Sequence, residues 1–440
     1  MQFEALADVM KRCGIVGAGG AGFPSYAKLN KKADTIILNC AECEPLFRIH
    51  RQLLAAYAYE ILTALEHVRE ACEAERIIVA VKPSYKDAIE AVTDKAQSFQ
   101  NVTISPLPEV YPAGDEVVTI YETTGRVVPP GQIPISVGCV VYNVETMLNT
   151  YYAITENRPV TTKYVTVAGA VKEPKTYCVP LGMKFSELIE LAGGATVNDP
   201  AILSGGAMTG RLGTMTEVVT KTTNAILVLP KDHPVILKRK SKTTLNIKRS
   251  MSSCCQCNIC TDLCPRYLLG HPIEPHLFMN AVSKGMEQDT KAVLNTLYCA
   301  QCGVCELYAC PQGLSPKSIM EECKARLRAK GITPKPLEAK PVNPLRPYRK
   351  VQMNRLLSRL ALTEYAVKAP LSDDVLAPKE VKILFSQHIG APAKCVLKKG
   401  DKVSKLDLVA SAADGLSVPV YSSVSGKVTE LTDKYVVIRG

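Results

Sequence analysis

The chain has 440 residues, 47% of them apolar, and a formal net charge of +11. That length calls for two to four domains rather than one core, and no apolar run reaches the ~20 residues a membrane helix needs. With no Trp and only 7 Phe, the basic surplus lacks the aromatic platform of a nucleic-acid binder. The surplus lies in Lys238 to Arg249 and Lys324 to Arg359, which reads as a basic face toward an acidic electron-transfer partner. The 17 cysteines without a secretory leader suit a reducing compartment, so disulfides are not expected.

Phe3, Leu6, Val9 and Met10 have the spacing of a short amphipathic helix. Gly17-Ala18-Gly19-Gly20-Ala21-Gly22-Phe23-Pro24 follows. It satisfies the dinucleotide fingerprint literally, but a helix precedes it where that fingerprint needs a strand. What remains is a loop whose bare backbone admits a phosphate or a flat ring. Strands are predicted at Asp34 to Cys40, Arg76 to Val81 and Val102 to Leu107, with helices at Leu53 to Glu73 and Ser84 to Gln97. That alternation implies a mostly parallel sheet covered by helices. Asn39, Glu42 and Glu44 gather where the first strand ends, the usual ligand position in such folds.

From Lys163 to Pro230 the order strand, strand, helix and closing strand predicts a compact β-grasp module. Then come Cys254-x2-Cys257-x2-Cys260-x3-Cys264-Pro265 and Cys299-x2-Cys302-x2-Cys305-x4-Cys310-Pro311. Three thiolates at this spacing wrap three corners of an iron–sulfur cube, and a distant Cys-Pro completes the other cube. One 4Fe–4S cluster is therefore assigned to Cys254, Cys257, Cys260 and Cys310, the other to Cys299, Cys302, Cys305 and Cys264. The second run carries one extra residue before its last cysteine. Zinc, which favours two C-x2-C pairs per ion, fits these runs poorly. The other nine cysteines, Cys255 among them, read as buried free thiols. A proline-rich stretch (Pro334 to Pro347) predicts a linker, and Tyr348 to Ala366 a basic amphipathic helix. Gln387 to Pro392, Val396 to Val403 and Ser422 to Val428 resemble a barrel-sandwich hybrid, without a carrier lysine around Asp414-Gly415-Leu416.

The glycine loop with Lys28, Asn39-x-x-Glu42-x-Glu44-Pro45, Tyr111 to Glu116, and Val141 to Thr146 occur in the order found in the flavin-binding subunit of respiratory complex I and in Rnf C subunits. The chain resembles these families. The resemblance implies that Gly17, Gly19, Gly20, Lys28, Asn39, Asn143 and Thr146 hold FMN. It places Glu42, Glu44, Asp115 and Glu116 near the flavin or NADH, and Phe23 against a ring. Ala18 and Ala41 stand where complex I has an arginine and an aspartate, which weakens polar contact with the flavin. In Rnf C subunits the barrel-sandwich module comes first; its place at the end here resembles the cobalamin reductases of propanediol-utilisation microcompartments.

The expected fold is multidomain α/β. A Rossmann-like FMN/NADH domain (1–158) and a β-grasp domain of the soluble-ligand-binding class (160–235) come first. A helical two-cluster ferredoxin-like domain (245–332), a linker with the basic helix (333–378) and the barrel-sandwich hybrid (379–440) follow. A hydride carries two electrons and a cubane accepts one, so a flavin must stand between them. The resemblance implies an oxidoreductase passing electrons from NADH to FMN, to two clusters and to corrinoid cobalt, with no acid–base catalyst. It implies a cytoplasmic protein, inside or at a microcompartment shell, with a shell protein or an adenosyltransferase as a further partner. The alternatives are an Rnf-type subunit serving ferredoxin or another redox enzyme, and a non-catalytic electron conduit to the shell.

Overall fold

The computed structural model describes residues 1–286 and 289–440. Its first unit runs α1 (Phe3–Arg12), β1 (Thr35–Asn39), α2 (Ile49–Ala56), α3 (Ala58–Cys72), β2 (Arg76–Val81), α4 (Lys86–Ala96), β3 (Val102–Pro106), β4 (Val110–Tyr111), α5 (Glu116–Thr124), β5 (Cys139–Asn143) and α6 (Val144–Glu156). Four strands form a parallel sheet in the order β3-β2-β1-β5. The apolar run in β1 does not alternate with polar residues because both faces are covered. Ile36 and Leu38 pack with Leu53 of α2, Leu65 of α3 and Met147 of α6. Ile37 packs on the other side with Val117, Val118 and Ile120 of α5. The single helix expected over Leu53 to Glu73 is two, because Tyr57 leaves helical geometry at φ −131°, ψ 37°.

The second unit is β6 (Thr162–Gly169), β7 (Lys175–Pro180), α7 (Phe185–Leu191), β8 (Pro200–Ser204), β9 (Arg211–Gly213) and β10 (Ala225–Pro230). Its sheet runs β7-β6-β10-β8-β9, with β6 and β10 parallel at its centre and the other pairs antiparallel. α7 buries Phe185, Leu188 and Ile189, as a β-grasp fold requires.

Short helices carry the cysteine runs around a core of Ile273, Phe278, Met279, Ile319 and Met320. The stretch expected as a linker is fastened down. Leu337 N–H donates to Pro130 O (3.0 Å) and Lys340 N–H to Gly270 O (3.0 Å). Arg346 and Lys350 both pair with Glu122, at 2.7 and 2.8 Å. Val351 and Gln352 pair antiparallel with β4. That pairing shortens the basic helix to Met353–Arg359, and Ala361 at φ 55° lies just beyond it. Leu356 and Leu360 face the core.

The last unit packs a four-stranded sheet (Glu380–Leu384, Tyr435–Arg439, Gly426–Leu431, Lys402–Val403) on a three-stranded one (Lys394–Cys395, Leu408–Ser411, Val420–Tyr421). Cys255 is exposed and not buried, because it sits on the rim of a cavity that its neighbours Cys254 and Cys257 line. Cys43, Cys178 and Cys395 are half-buried.

The first two units meet at a buried ion pair. Glu145, in the first turn of α6, faces Lys163 of β6, and both side chains are 1% exposed. Glu145 Oε1 also accepts from Tyr164 N–H (3.0 Å), and Lys163 Nζ donates to Asn224 Oδ1 (3.0 Å). Glu145→Gln strands a buried ammonium and is expected to cost about 3–5 kcal/mol, read as a lower midpoint in urea.

Candidate functional site

Asn39 and Asn143 end adjacent parallel strands and are direct register partners. In the order β3-β2-β1-β5 the chain leaves β1 toward β2 on one side, with β5 on the other. The crevice between them is the switch point where open α/β sheets bind ligands. A cleft of about 570 Å³ opens there.

Each wall residue is held by a specific bond. Asn143 Oδ1 caps α6 by accepting from Glu145 N–H (2.9 Å). Its amide nitrogen therefore donates to His50 Nε2 (2.7 Å). Asn39 Nδ2 donates to Gly114 O (2.9 Å), and its Oδ1 accepts from Ala41 N–H (3.0 Å). Thr146 Oγ1 accepts from Ala18 N–H (3.0 Å), pinning the glycine loop to α6. Lys28 Nζ pairs with Glu116 (2.9 Å) and donates to Val141 O (3.0 Å). A Cβ at Gly19 would run into Asn143 Nδ2, and one at Gly114 into Ala41 O.

The cleft brings together Gly17, Gly19, Gly20, Phe23, Lys28, Asn39, Glu42, Glu44, Glu116, Asn143 and Thr146. Asp115 does not line it. Its carboxylate caps α5 at Val117 and Val118 and pairs with Arg266 at 2.8 Å. Two of the lining acids are committed elsewhere. Glu42 is buried and accepts from Arg51 Nε (2.8 Å) and His50 N–H (3.0 Å). Burial pushes its pKa up, but Arg51 and His50 outweigh that and hold it below the usual value. Glu44 reaches into the β-grasp module, accepting from Met208 N–H (2.9 Å), Thr209 N–H (2.8 Å) and Thr209 Oγ1 (2.5 Å). Burial raises its pKa.

Two further wall residues, His50 and Ser25, lie outside the four sequence motifs. Burial lowers the His50 pKa to about 4, so the ring is neutral. With Nε2 accepting from Asn143, its proton sits on Nδ1, which has no partner among the described residues. Ser25 Oγ is also buried without a partner there. These unpaired atoms, the bare glycine loop and the fixed amides fit a ligand with phosphate and ring acceptors, as FMN has.

The cysteines gather around two further cavities. Cys254, Cys257, Cys260 and Cys310 line the first, with Met279 and Leu314. Cys264, Cys299, Cys302 and Cys305 line the second, with Ile273, Met320, Arg266 and Lys317. Each cavity thus takes three cysteines from one run and the last from the other. The extra residue between Cys305 and Cys310 is absorbed by a π-helical turn, Val304–Ala309. Burial pushes the Cys260 and Cys264 thiols up to about 12. Four soft sulfur donors in a mostly apolar cavity suit an iron–sulfur cube. Gln301 N–H (3.4 Å) and Leu314 N–H (3.3 Å) donate to Cys299 and Cys310 sulfurs, the kind of contact that sets cluster potential.

The Tyr111 to Glu116 segment runs from the cleft to the second cavity. Gly114 and Glu116 line the cleft. Tyr111 Oη donates to Cys302 O at 2.5 Å, and Asp115 holds Arg266 of the cavity wall.

Four family models match in chain order. They are the Nuo51 FMN-binding domain over residues 10–152, the SLBB domain over 164–212, the 4Fe-4S dicluster domain over 253–315 and the RnfC barrel sandwich hybrid domain over 364–439. The chain is 41% identical to the cobalamin reductase PduS of Citrobacter freundii, covering 99% of this chain and 97% of the relative. It is 40% identical, with the same coverage, to the cobalamin reductase PduS of Salmonella typhimurium. The C subunit of the Na(+)-translocating ferredoxin:NAD(+) oxidoreductase complex of Acetobacterium woodii is 31% identical over 61% of this chain and 59% of its own length.

Gly19→Ala is expected to push Asn143 off the N-terminus of α6. The lost cap costs about 1 kcal/mol, seen as a lower melting temperature. The displaced amide also lowers flavin retention, read by fluorescence titration with FMN.

Proposed function

The chain belongs to the cobalamin reductase PduS family, and on that premise we propose that it passes electrons from NADH, through FMN and two 4Fe–4S clusters, to a corrinoid. The observation that carries this reading is the Tyr111 to Glu116 segment: Gly114 and Glu116 line the flavin cleft, while Tyr111 and Asp115 bond to Cys302 and Arg266 in the wall of the second cysteine cavity. Bound FMN would supply the exchange between a two-electron donor and the one-electron clusters.

The chain's own residues do the positioning. In this reading the glycine-loop N–H groups and Lys28 meet the flavin phosphate, and Asn39 and Asn143 present amides already fixed by Gly114 and Glu145. His50 offers its Nδ1 proton to a ring or ribityl acceptor without becoming charged. Phe23, Ile133 and Ile135 give the cleft apolar cover that limits water. Glu116, paired with Lys28, sits with it at the phosphate end. Cys264, Cys299, Cys302 and Cys305 would hold the cluster on the side of the cleft, the one suited to take electrons first. Cys254, Cys257, Cys260 and Cys310 would hold the outer cluster, with Cys257 at the surface, suited to pass them on.

No helix among the described residues is long and apolar enough to cross a membrane. We place the protein inside or at a microcompartment shell, with a shell protein or an adenosyltransferase as a further partner.

Serine variants test the crossed ligand sets. Cys254→Ser and Cys310→Ser should alter one cluster's electron paramagnetic resonance signal, and Cys299→Ser and Cys264→Ser the other. Iron should fall from about eight atoms toward about four in each case. Grouping of Cys310 with Cys299 instead would refute the crossing. An anaerobic NADH titration of the reconstituted protein, with cob(III)alamin added last, tests the whole reading. Flavin and cluster absorbance should bleach and reduced corrinoid then form. Bleaching without corrinoid reduction points to another acceptor, and no bleaching at full iron load removes NADH and flavin from the scheme.

A further inference from the structure

An open groove of about 850 Å³ lies on the surface beside the first cysteine cavity. One wall comes from the cysteine-bearing segments. Ile259 precedes Cys260, Leu263 precedes Cys264, and Tyr308 belongs to the π-helical turn that delivers Cys310. The other wall is the outward face of the helix Met353–Arg359, with Arg355, Ser358 and Arg359 exposed. Arg359 Nη2 donates to Cys310 O at 3.2 Å, so the groove touches the backbone of a first-cavity cysteine.

The charge of this groove is one-sided. Among the described residues no acidic side chain lines it, and neither Arg355 nor Arg359 forms an ion pair there, whereas Arg346, Arg349 and Lys350 just before them all do. Ile259 is 37% exposed on the floor. An apolar wall opposite a wall of amide, hydroxyl and guanidinium groups matches an apolar macrocycle rimmed by carboxamides and carrying one phosphate. A broad acidic protein face would call for basic groups on both walls. π-helical turns also recur at functional sites.

We propose that this groove is the corrinoid site: the macrocycle lies on Ile259, Leu263 and Tyr308, Arg355 and Arg359 bind the nucleotide phosphate, and Ser358 meets the amide rim. The inference rests on the corrinoid-acceptor reading above. It accounts for the basic helix that composition alone marks only as a docking face, and it puts the acceptor beside the more exposed cysteine set.

The test is anaerobic binding of cob(II)alamin to the cluster-loaded full chain, by equilibrium dialysis. Arg355→Glu with Arg359→Glu should weaken binding about tenfold or more, since two charge-assisted phosphate contacts become repulsive. Lys398→Glu with Lys399→Glu, an equal charge change on the barrel-sandwich unit, should leave it unchanged. Arg355→Glu alone keeps the test valid should loss of the Arg359 bond to Cys310 O impair cluster loading, which iron content reports. Arginine variants that bind as tightly as the unmodified chain overturn the site and leave the reductase reading standing. An unmodified chain that binds no corrinoid overturns both. Arginine variants that lose only electron transfer to an acidic ferredoxin, with corrinoid binding intact, assign the groove to a protein partner and overturn the proposal.

Discussion

The parallel pairing of β1 with β5 is the constraint on which the redox architecture depends. It sets Asn39 opposite Asn143 at the strand ends, and both amides then act as brackets. Asn143 caps α6 and orients His50. Asn39 holds Gly114 O, which positions the segment that continues to Asp115. Asp115 in turn holds Arg266, and Tyr111 holds Cys302 O. A one-residue slip of β5 would reverse the facing of every side chain in it. Both brackets would then be lost, and with them the join between cleft and cysteine cavity.

The units are joined by buried polar groups as well as by apolar packing. Glu145 meets Lys163, and Glu44 meets the N–H groups of Met208 and Thr209. Lys221 Nζ donates to Gly14 O at 2.7 Å and Pro419 O at 3.1 Å, bringing three units to one ammonium. Burial lowers its pKa to about 7. A buried charge separated from its partner is penalised far more than an apolar contact shifted by an ångström, so such joints favour one relative placement. That explains why acids suited to a nicotinamide pocket by motif are found holding the structure together. Glu42 is tied to Arg51, Glu44 to the β-grasp unit, and Asp115 to the cysteine domain.

The grouping of the cysteines around two cavities is legible because the three-residue spacing inside each run is local, and the exchange of Cys264 and Cys310 is the pattern of two-cluster ferredoxins. The extra residue before Cys310 is visible as a count. Its absorption by a π-helical turn is not, since spacing carries no information on which hydrogen-bond ladder a helix adopts. The strands are legible from unbroken apolar runs, as in Ile36 to Leu38, because burial on both faces leaves that mark. The break at Tyr57 is hidden, with no glycine or proline to announce it. The fastening of 334–352 depends on partners over a hundred residues away, such as Glu122 and Tyr111, and a proline-rich composition reads the same whether docked or free. His50 and Ser25 stay invisible for a similar reason. Each enters the cleft through tertiary placement, and a lone histidine at a helix start signals nothing by itself.

The place of the barrel-sandwich unit in the chain matters less than what it touches. Although last in sequence, it packs on the first loop. Ile389 N–H donates to Gly22 O at 3.3 Å, and Tyr421 Oη donates to Arg12 O at 2.5 Å. Gly22, at φ 75°, has no room for a Cβ between Thr222 and His388. Gln387 Oε1 accepts from Lys221 N–H at 3.0 Å, so the Gln387 to Pro392 motif braces the glycine loop from behind through the β-grasp unit. In Rnf C subunits the resembling module comes before the flavin domain. A unit that docks on residues 12–22 can be attached at either end of the chain, because the contact it must make lies near the first helix in space.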